Sequence, residues 1–212
     1  MSKLLVVDYA FQHPTIAQLK AAGVYAVGRY FGEGSQPPKF LDHSEASELS
    51  QAGIRIISLF EYGAKQALLG AKQAYEDIRV FRQQARSVAP PDGHPIRSEP
   101  CYFAADFDVP DFAPHLSDTP SNARAKLGPL ADYWYVIQAE RGLHLSAAYG
   151  GYWLIKRLFD AQLITYGFQT VAWSGGHIDT RAQLYQNGST AFGGSADVDV
   201  EEHHFGSWTL TP

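Results

Sequence analysis

The chain holds one cysteine, Cys101, so no internal disulfide can staple the fold; this does not settle the compartment. It has no run of Lys or Arg, and its net charge of −5 argues against nucleic acid as a partner. No apolar stretch reaches the roughly 18 residues that span a bilayer, so no membrane span is expected. Met1-Ser-Lys leads straight into an apolar segment without the zones of a signal peptide. Any route out of the cell is therefore expected to be holin-like, tail-associated or through a dedicated secretion path, unless the chain has been trimmed.

Other absences concern chemistry. His13, His43, His94, His115, His144 and His177 show no zinc-type spacing. His203 and His204 are neighbours, which on a strand face opposite sides. All eight histidines are read as surface or structural, with no metal site and no cofactor expected. Ser174-Gly-Gly lacks the flanks of a nucleophile elbow, and Cys101 lies inside an apolar run, so Ser or Cys nucleophilic catalysis has little support. No glycine-rich turn follows the first apolar segment, where Asp8-Tyr-Ala-Phe-Gln-His stands instead, and a doubly wound nucleotide binder loses ground accordingly.

What is present is an alternation. Leu4–Val7 reads as a buried strand ending at Asp8, and His13-Pro14 opens a helix that Gly23 closes. Tyr25–Tyr30 is a second strand, followed by a loop rich in Gly and Pro from Phe31 to Lys39. Asp42 with Glu45 resembles a capping box for a helix ending at Gly53. Ile54–Phe60 is the third strand, tipped by Glu61 and Tyr62. Ala71, Ala74, Ile78, Phe81, Ala85 and Val88 then recur at helical spacing.

Cys101–Ala105 is a wholly apolar strand that runs abruptly into Asp106 and Asp108. Side chains two apart share a face, so both acids are expected to leave the core together at the strand tip. A helix from Thr119-Pro120 to Gly142 follows, with a stripe of Ala123, Leu127, Leu130, Trp134 and Ile137. Leu145–Tyr149 is the fifth strand, and Leu154, Ile155 and Leu158 mark the next helix. Beyond Gly167 the units shorten: Phe168–Trp173 and Ala182–Gln186 read as strands, and Asp197-Val-Asp199 closes the pattern.

At least five strand–helix alternations predict an α/β fold with a parallel sheet. Polar residues end nearly every strand (Asp8, Arg29, Glu61, Asp106, Asp108, Tyr149, Trp173, Gln186, Asp197), as in a barrel whose active face collects strand tips. The expectation is one (β/α) TIM-like barrel domain over 1–212, irregular in its last units, and a monomer.

In such a barrel Asp8, Glu61, Asp106, Asp108 and Asp197 converge, with Tyr30, Tyr62, Tyr149 and Trp173 around them and Arg29 and Gln186 at neighbouring tips. Clustered carboxylates serve glycoside hydrolysis, where one acid stays protonated and another ionised, with aromatics holding sugar faces. They serve equally as oxygen ligands of a divalent cation in a phosphodiesterase. Plainer roles stand beside these. Asp8 suits an N-cap or Asx turn, Asp197 and Asp199 suit a turn in a Gly- and Ser-rich stretch, and Glu61 suits a salt bridge to Arg29.

The residues also carry a likeness. Val7-Asp8, Gly23–Tyr30, Glu45–Gly53, Tyr102–Asp108, Ala148–Gly151, Thr170–Ser174, Ala182–Gln186 and Asp197–Asp199 together resemble a bacterial glycoside hydrolase-like domain of unknown function. That domain occurs in actinobacterial cell-wall-associated proteins and phage lysins, and is similar to the family 25 lysozymes, muramidases on an irregular β/α barrel. The resemblance implies a glycosidase acting on cell-wall polysaccharide, chiefly peptidoglycan, at the wall if exported or phage-delivered, without a cofactor. It implies that Asp8 matches the first-strand Asp of those lysozymes, Asp106 and Asp108 their Asp-x-Glu pair, and Asp197 their closing Asp. Asp108 would then be the proton donor and Asp106 its partner, with Tyr62, Tyr149 and Trp173 lining the glycan cleft.

The chain departs from that family where Asp108 stands for the Glu, drawing the carboxyl back by roughly one C–C bond, and a 1 Å misplacement can cost about a hundredfold in rate. Three outcomes stay open: the backbone compensates, another residue such as Glu61 is the acid, or the domain binds wall glycan without cutting it.

Overall fold

A computed structural model of the chain describes residues 4–33, 38–201 and 204–210; the side chains of Val200 and Glu201 are not described. His203 and part of the Phe31–Lys39 loop lie outside the described residues.

Eight strands close into a barrel in sequence order. They are β1 Leu5–Asp8, β2 Ala26–Phe31, β3 Arg55–Phe60, β4 Cys101–Ala105, β5 Ser146–Gly150, β6 Tyr166–Thr170, β7 Leu184–Ala191 and β8 Ala196–Glu201. Neighbours from β1 to β7 are parallel, while β8 runs antiparallel to both β7 and β1. The barrel and the irregularity of its last units are as the sequence predicts. The helices are α1 Ile16–Ala21, α2 His43–Gln51, α3 Ala71–Val88, α4 Ala123–Leu127, α5 Pro129–Arg141 and α6 Tyr152–Asp160.

Period-two alternation sorts the strand residues onto two faces. Val7, Val27, Phe31, Ile56, Phe60, Phe103 and Ala148 pack outward against the helices. Val6, Ala26, Ile57, Leu59, Tyr102, Ala147, Phe168 and Leu184 fill the interior with Phe205. The α3 stripe lands as its spacing predicts, with Ala74, Ile78, Phe81, Ala85 and Val88 buried.

The C-terminal segment seals the barrel at the end where the strands begin. β4 pairs with β3 only from Ser58 onward, and Trp208 takes the vacant backbone edge at Ile56. Its indole N–H donates to Ser58 Oγ at 3.0 Å, and Tyr102 Oη donates to the Phe205 carbonyl at 2.6 Å. The interior is therefore apolar and closed at one end, which leaves the C-terminal strand tips for chemistry.

Several local expectations are corrected. The helix expected from Thr119 to Gly142 is two helices, because Pro129 disfavours helical geometry at the residue before it and Gly128 sits at φ 54°, ψ −131°. A Cβ at Gly128 would also come within 2.5 Å of the Phe112 ring. The first helix starts after Thr15, not at His13-Pro14, because Thr15 and Gln18 form the capping box. Asp42 does cap α2, but its expected partner Glu45 does not reach back; that carboxylate is held by Arg29 and Tyr9. β6 ends at Thr170, short of Trp173, which sits in a turn at φ 56°. β7 begins at Leu184 and runs on to Ala191.

Candidate active site

Asp8 ends β1 on the inner face and is 2% exposed. Tyr30 Oη, inward from β2, donates to its Oδ1 at 2.8 Å, and Gln186 Nε2, from β7, donates to its Oδ2 at 2.8 Å. The Gln186 amide is oriented in turn, since its Oε1 accepts from Tyr149 Oη and Thr170 Oγ1, each at 2.9 Å. Space for this network comes from Gly28, the β2 register partner of Asp8, where a Cβ would stand 2.8 Å from the Asp8 Cβ. Burial pushes the Asp8 carboxyl up from 3.8 to about 7; the two hydrogen bonds oppose this, and the charges of Asp197 and Glu61 add to it.

Antiparallel pairing brings β8 alongside. Asp197 is the direct register partner of Asp8, and Asp199 pairs with Val6 on one side and Gln186 on the other. Asp199 is 1% exposed, and neither of its carboxyl oxygens has a hydrogen-bond partner among the described residues. Burial, then the charges of Asp8 and Asp197, hold it well above the ordinary carboxylate range. Burial also raises Asp197. Asp199 is the site residue that the sequence reading passed over in favour of Asp197; the same-face spacing of Asp197-Val-Asp199 was the available signal.

Glu61 and Asp106 follow β3 and β4 and share a narrow recess of about 30 Å³ with Tyr30, Leu59, Ala104 and Tyr149. Lys39 Nζ donates to Glu61 Oε2 at 3.1 Å and lies 5.0 Å from the Tyr30 ring centre. Asp106 is half-buried; burial raises its carboxyl, the Glu61 and Asp197 charges raise it further, and Lys39 opposes them. On the other side of Tyr30 a cleft of about 280 Å³ opens between the Tyr9–Gln12 loop and the Gly194–Ala196 turn, with Asp8 and Asp197 in its wall. Phe11, 57% exposed, stands at this cleft.

Two expected members stand elsewhere. β4 ends at Ala105, Phe107 turns into the outer core, and Asp108 is exposed, with no hydrogen bond or ion pair to a described residue. Arg29 is fully buried and faces outward, because Tyr30 beside it faces inward. The expected Glu61–Arg29 pair does not form. Arg29 donates to Glu45 at 2.7 and 3.0 Å and to the Tyr9 and Lys39 carbonyls, while Glu61 takes Lys39. Tyr62 and Trp173 are exposed on the loops after β3 and β6. Among the described residues, no three His, Cys, Asp or Glu side chains are arranged to hold a metal ion.

Comparison with known proteins agrees with the resemblance read from the sequence. The model of the Rv2525c-like, glycoside hydrolase-like domain matches residues 17–113. The crystal structure of the Mycobacterium tuberculosis Tat-secreted protein Rv2525c in complex with L-tartrate superposes with a TM-score of 0.80 at 23% identity, covering 98% of this chain and 100% of that one. A muramidase from Acremonium alcalophilum gives a TM-score of 0.51 at 13% identity, covering 95% and 94% of the two chains. A family GH25 lysozyme from Aspergillus fumigatus gives 0.50 at 11% identity, covering 96% and 95%. No curated protein matches the sequence. That domain model covers under half of the chain, and at these identities the structural likeness speaks for the barrel fold alone.

Proposed function

We propose that the barrel mouth cleaves a glycosidic bond in a bacterial cell-wall polysaccharide, chiefly peptidoglycan, with Asp106 as the proton donor. One observation carries this reading: Asp106 is half-buried, opens on the recess it shares with Glu61, and is held toward its protonated form by burial and neighbouring carboxylates. A glycosidase needs one carboxyl that keeps its proton and a second that bears charge against the developing oxocarbenium. Glu61, ion-paired with Lys39, faces the same recess, and Asp8 and Asp197 supply further negative charge across Tyr30. Tyr30 and Tyr149 wall the recess beside the two acids. The muramidase and lysozyme names borne by proteins of the same barrel support a wall glycan as the substrate.

One observation favours a second reading, a wall-binding module without catalysis. Asp108, which the resemblance sets in the place of the lysozyme Glu, is exposed and makes no hydrogen bond or ion pair with a described residue.

Release of reducing ends from purified peptidoglycan, with and without EDTA, separates the readings. Wild type is expected to be active in EDTA, Asp106→Asn to lose about a hundredfold or more, and Asp108→Asn to keep most activity. No release, with wall pull-down intact, would leave the binding module. Loss in EDTA alone would point to a metal-dependent enzyme.

A further inference from the structure

The distribution of charge in the mouth bears on which sugar the cleft takes. Asp8, Asp197, Asp199, Glu61 and Asp106 collect there, and Lys39, the cation that opposes them at Asp106, is already paired with Glu61. Among the described residues, Asp8, Asp106, Asp197 and Asp199 have no Lys, Arg or His nitrogen within 4.0 Å. Arg29, next to Tyr30 on β2, is turned outward and spent on Glu45. Asp8 and Asp197 face each other across β1 and β8, where like charges repel. Beneath them Asp199 is 1% exposed, and neither of its oxygens has a hydrogen-bond partner among the described residues. Among the described residues, these donors are not arranged to hold a metal ion.

We propose that the cleft beside Phe11 takes a hexosamine whose amino group is free, its ammonium seated against Asp8 and Asp197. This rests on the glycan reading of the same mouth and names the sugar class within it. A protonated amine supplies the missing positive charge and donates up to three hydrogen bonds to the opposed carboxyls. An N-acetylated sugar places a neutral amide there and leaves the carboxyls crowded and less solvated. A uronic acid adds another negative charge and is repelled. At about 280 Å³ the cleft is small among ligand sites, which suits one saccharide unit better than a protein segment.

The test is calorimetric titration of the whole chain with three oligosaccharides of equal length: glucosamine, N-acetylglucosamine and galacturonate oligomers. The glucosamine oligomer is expected to bind about tenfold or more tighter than the N-acetylated one, and the galacturonate oligomer weakest. Because Asp197 is partly open to solvent, that preference should shrink in about 1 M salt, where screening acts within roughly 3 Å. Asp197→Asn is expected to bring the ratio of the first two affinities toward one. Equal or tighter binding of the N-acetylated oligomer, or a preference indifferent to salt, overturns the inference while leaving the glycan reading in place. Binding of none of the three overturns both.

Discussion

Asp8 and Asp197 are direct cross-strand partners, two carboxylates facing each other on antiparallel β1 and β8. Opposed like charges destabilise a sheet, and here the strain is held by Tyr30 and Gln186, which clamp Asp8 from strands on both sides. The cost of this arrangement should be visible in the pH dependence of folding.

In the folded chain Asp8 holds its proton up to about pH 7, against 3.8 for an ordinary Asp. Between those values the folded state binds more protons than the unfolded one, so stability falls as pH rises. Asp199, raised by burial and by Asp8, acts in the same direction. Resistance of wild type to urea is expected to fall from pH 4 to pH 8, and Asp8→Asn should flatten that slope and be the more stable of the two at pH 8. A wild-type stability that rises through this window would contradict the assignment.

Gly28 is needed for its missing side chain, not for an unusual backbone angle. An added Cβ would lie 2.8 Å from the Asp8 Cβ and 3.1 Å from Leu59 Cδ1. Gly28→Ala is therefore expected to cost about 1–3 kcal/mol through overpacking, and to lower activity by displacing Asp8 from Tyr30. Chemical denaturation and reducing-end release, run on the same preparation, would show both effects or neither.

Arg29 is predicted to act through the loops it ties and not on a ligand. It fixes the Tyr9 and Lys39 carbonyls, one in the wall of the larger cleft and the other beside the ammonium paired with Glu61. Arg29→Met leaves Glu45 without its buried guanidinium and should cost about 3 kcal/mol or more. Arg29→Lys, which keeps the charge but loses the planar fork, should recover part of the stability. Thermal melts of wild type and the two variants give the comparison; Arg29→Lys melting together with wild type would sink the geometric part of the claim.

Trp208 fills the edge that β4 leaves open on β3, at the end of the barrel remote from the site. Trp208→Ala removes a fully enclosed ring and its bond to Ser58, and is expected to cost about 3–5 kcal/mol. Tyr102→Phe removes one hydrogen bond to the Phe205 carbonyl and should cost about 1 kcal/mol. A C-terminal segment that merely lay on the surface would make both changes nearly silent in guanidinium melts.

Much of the barrel is legible because its signals are local. Apolar runs such as Cys101–Ala105 and stripes such as Ala74–Val88 declare strand and helix within one segment. Gly128-Pro129 was also a local signal, and it outweighs the continuous apolar stripe on either side of it. The acid at Asp108 shows where strand periodicity stops helping: β4 ends at Ala105, and beyond it a residue's direction follows the loop.

The sequence by itself determined that strands alternate with helices, that carboxylates gather at strand tips, and that Asp8, Asp106, Glu61 and Asp197 are candidates for one site. Only the tertiary structure decided the partners. It turned Arg29 outward to Glu45, left Lys39 for Glu61, set Gln186 on Asp8, and buried Asp199 with no hydrogen-bond partner among the described residues. The physical reason is that each of these depends on how separate elements pack, and the Asp8–Gln186 contact also on barrel closure across 178 positions of sequence. Strand parity and register then choose among side chains whose local preferences are the same.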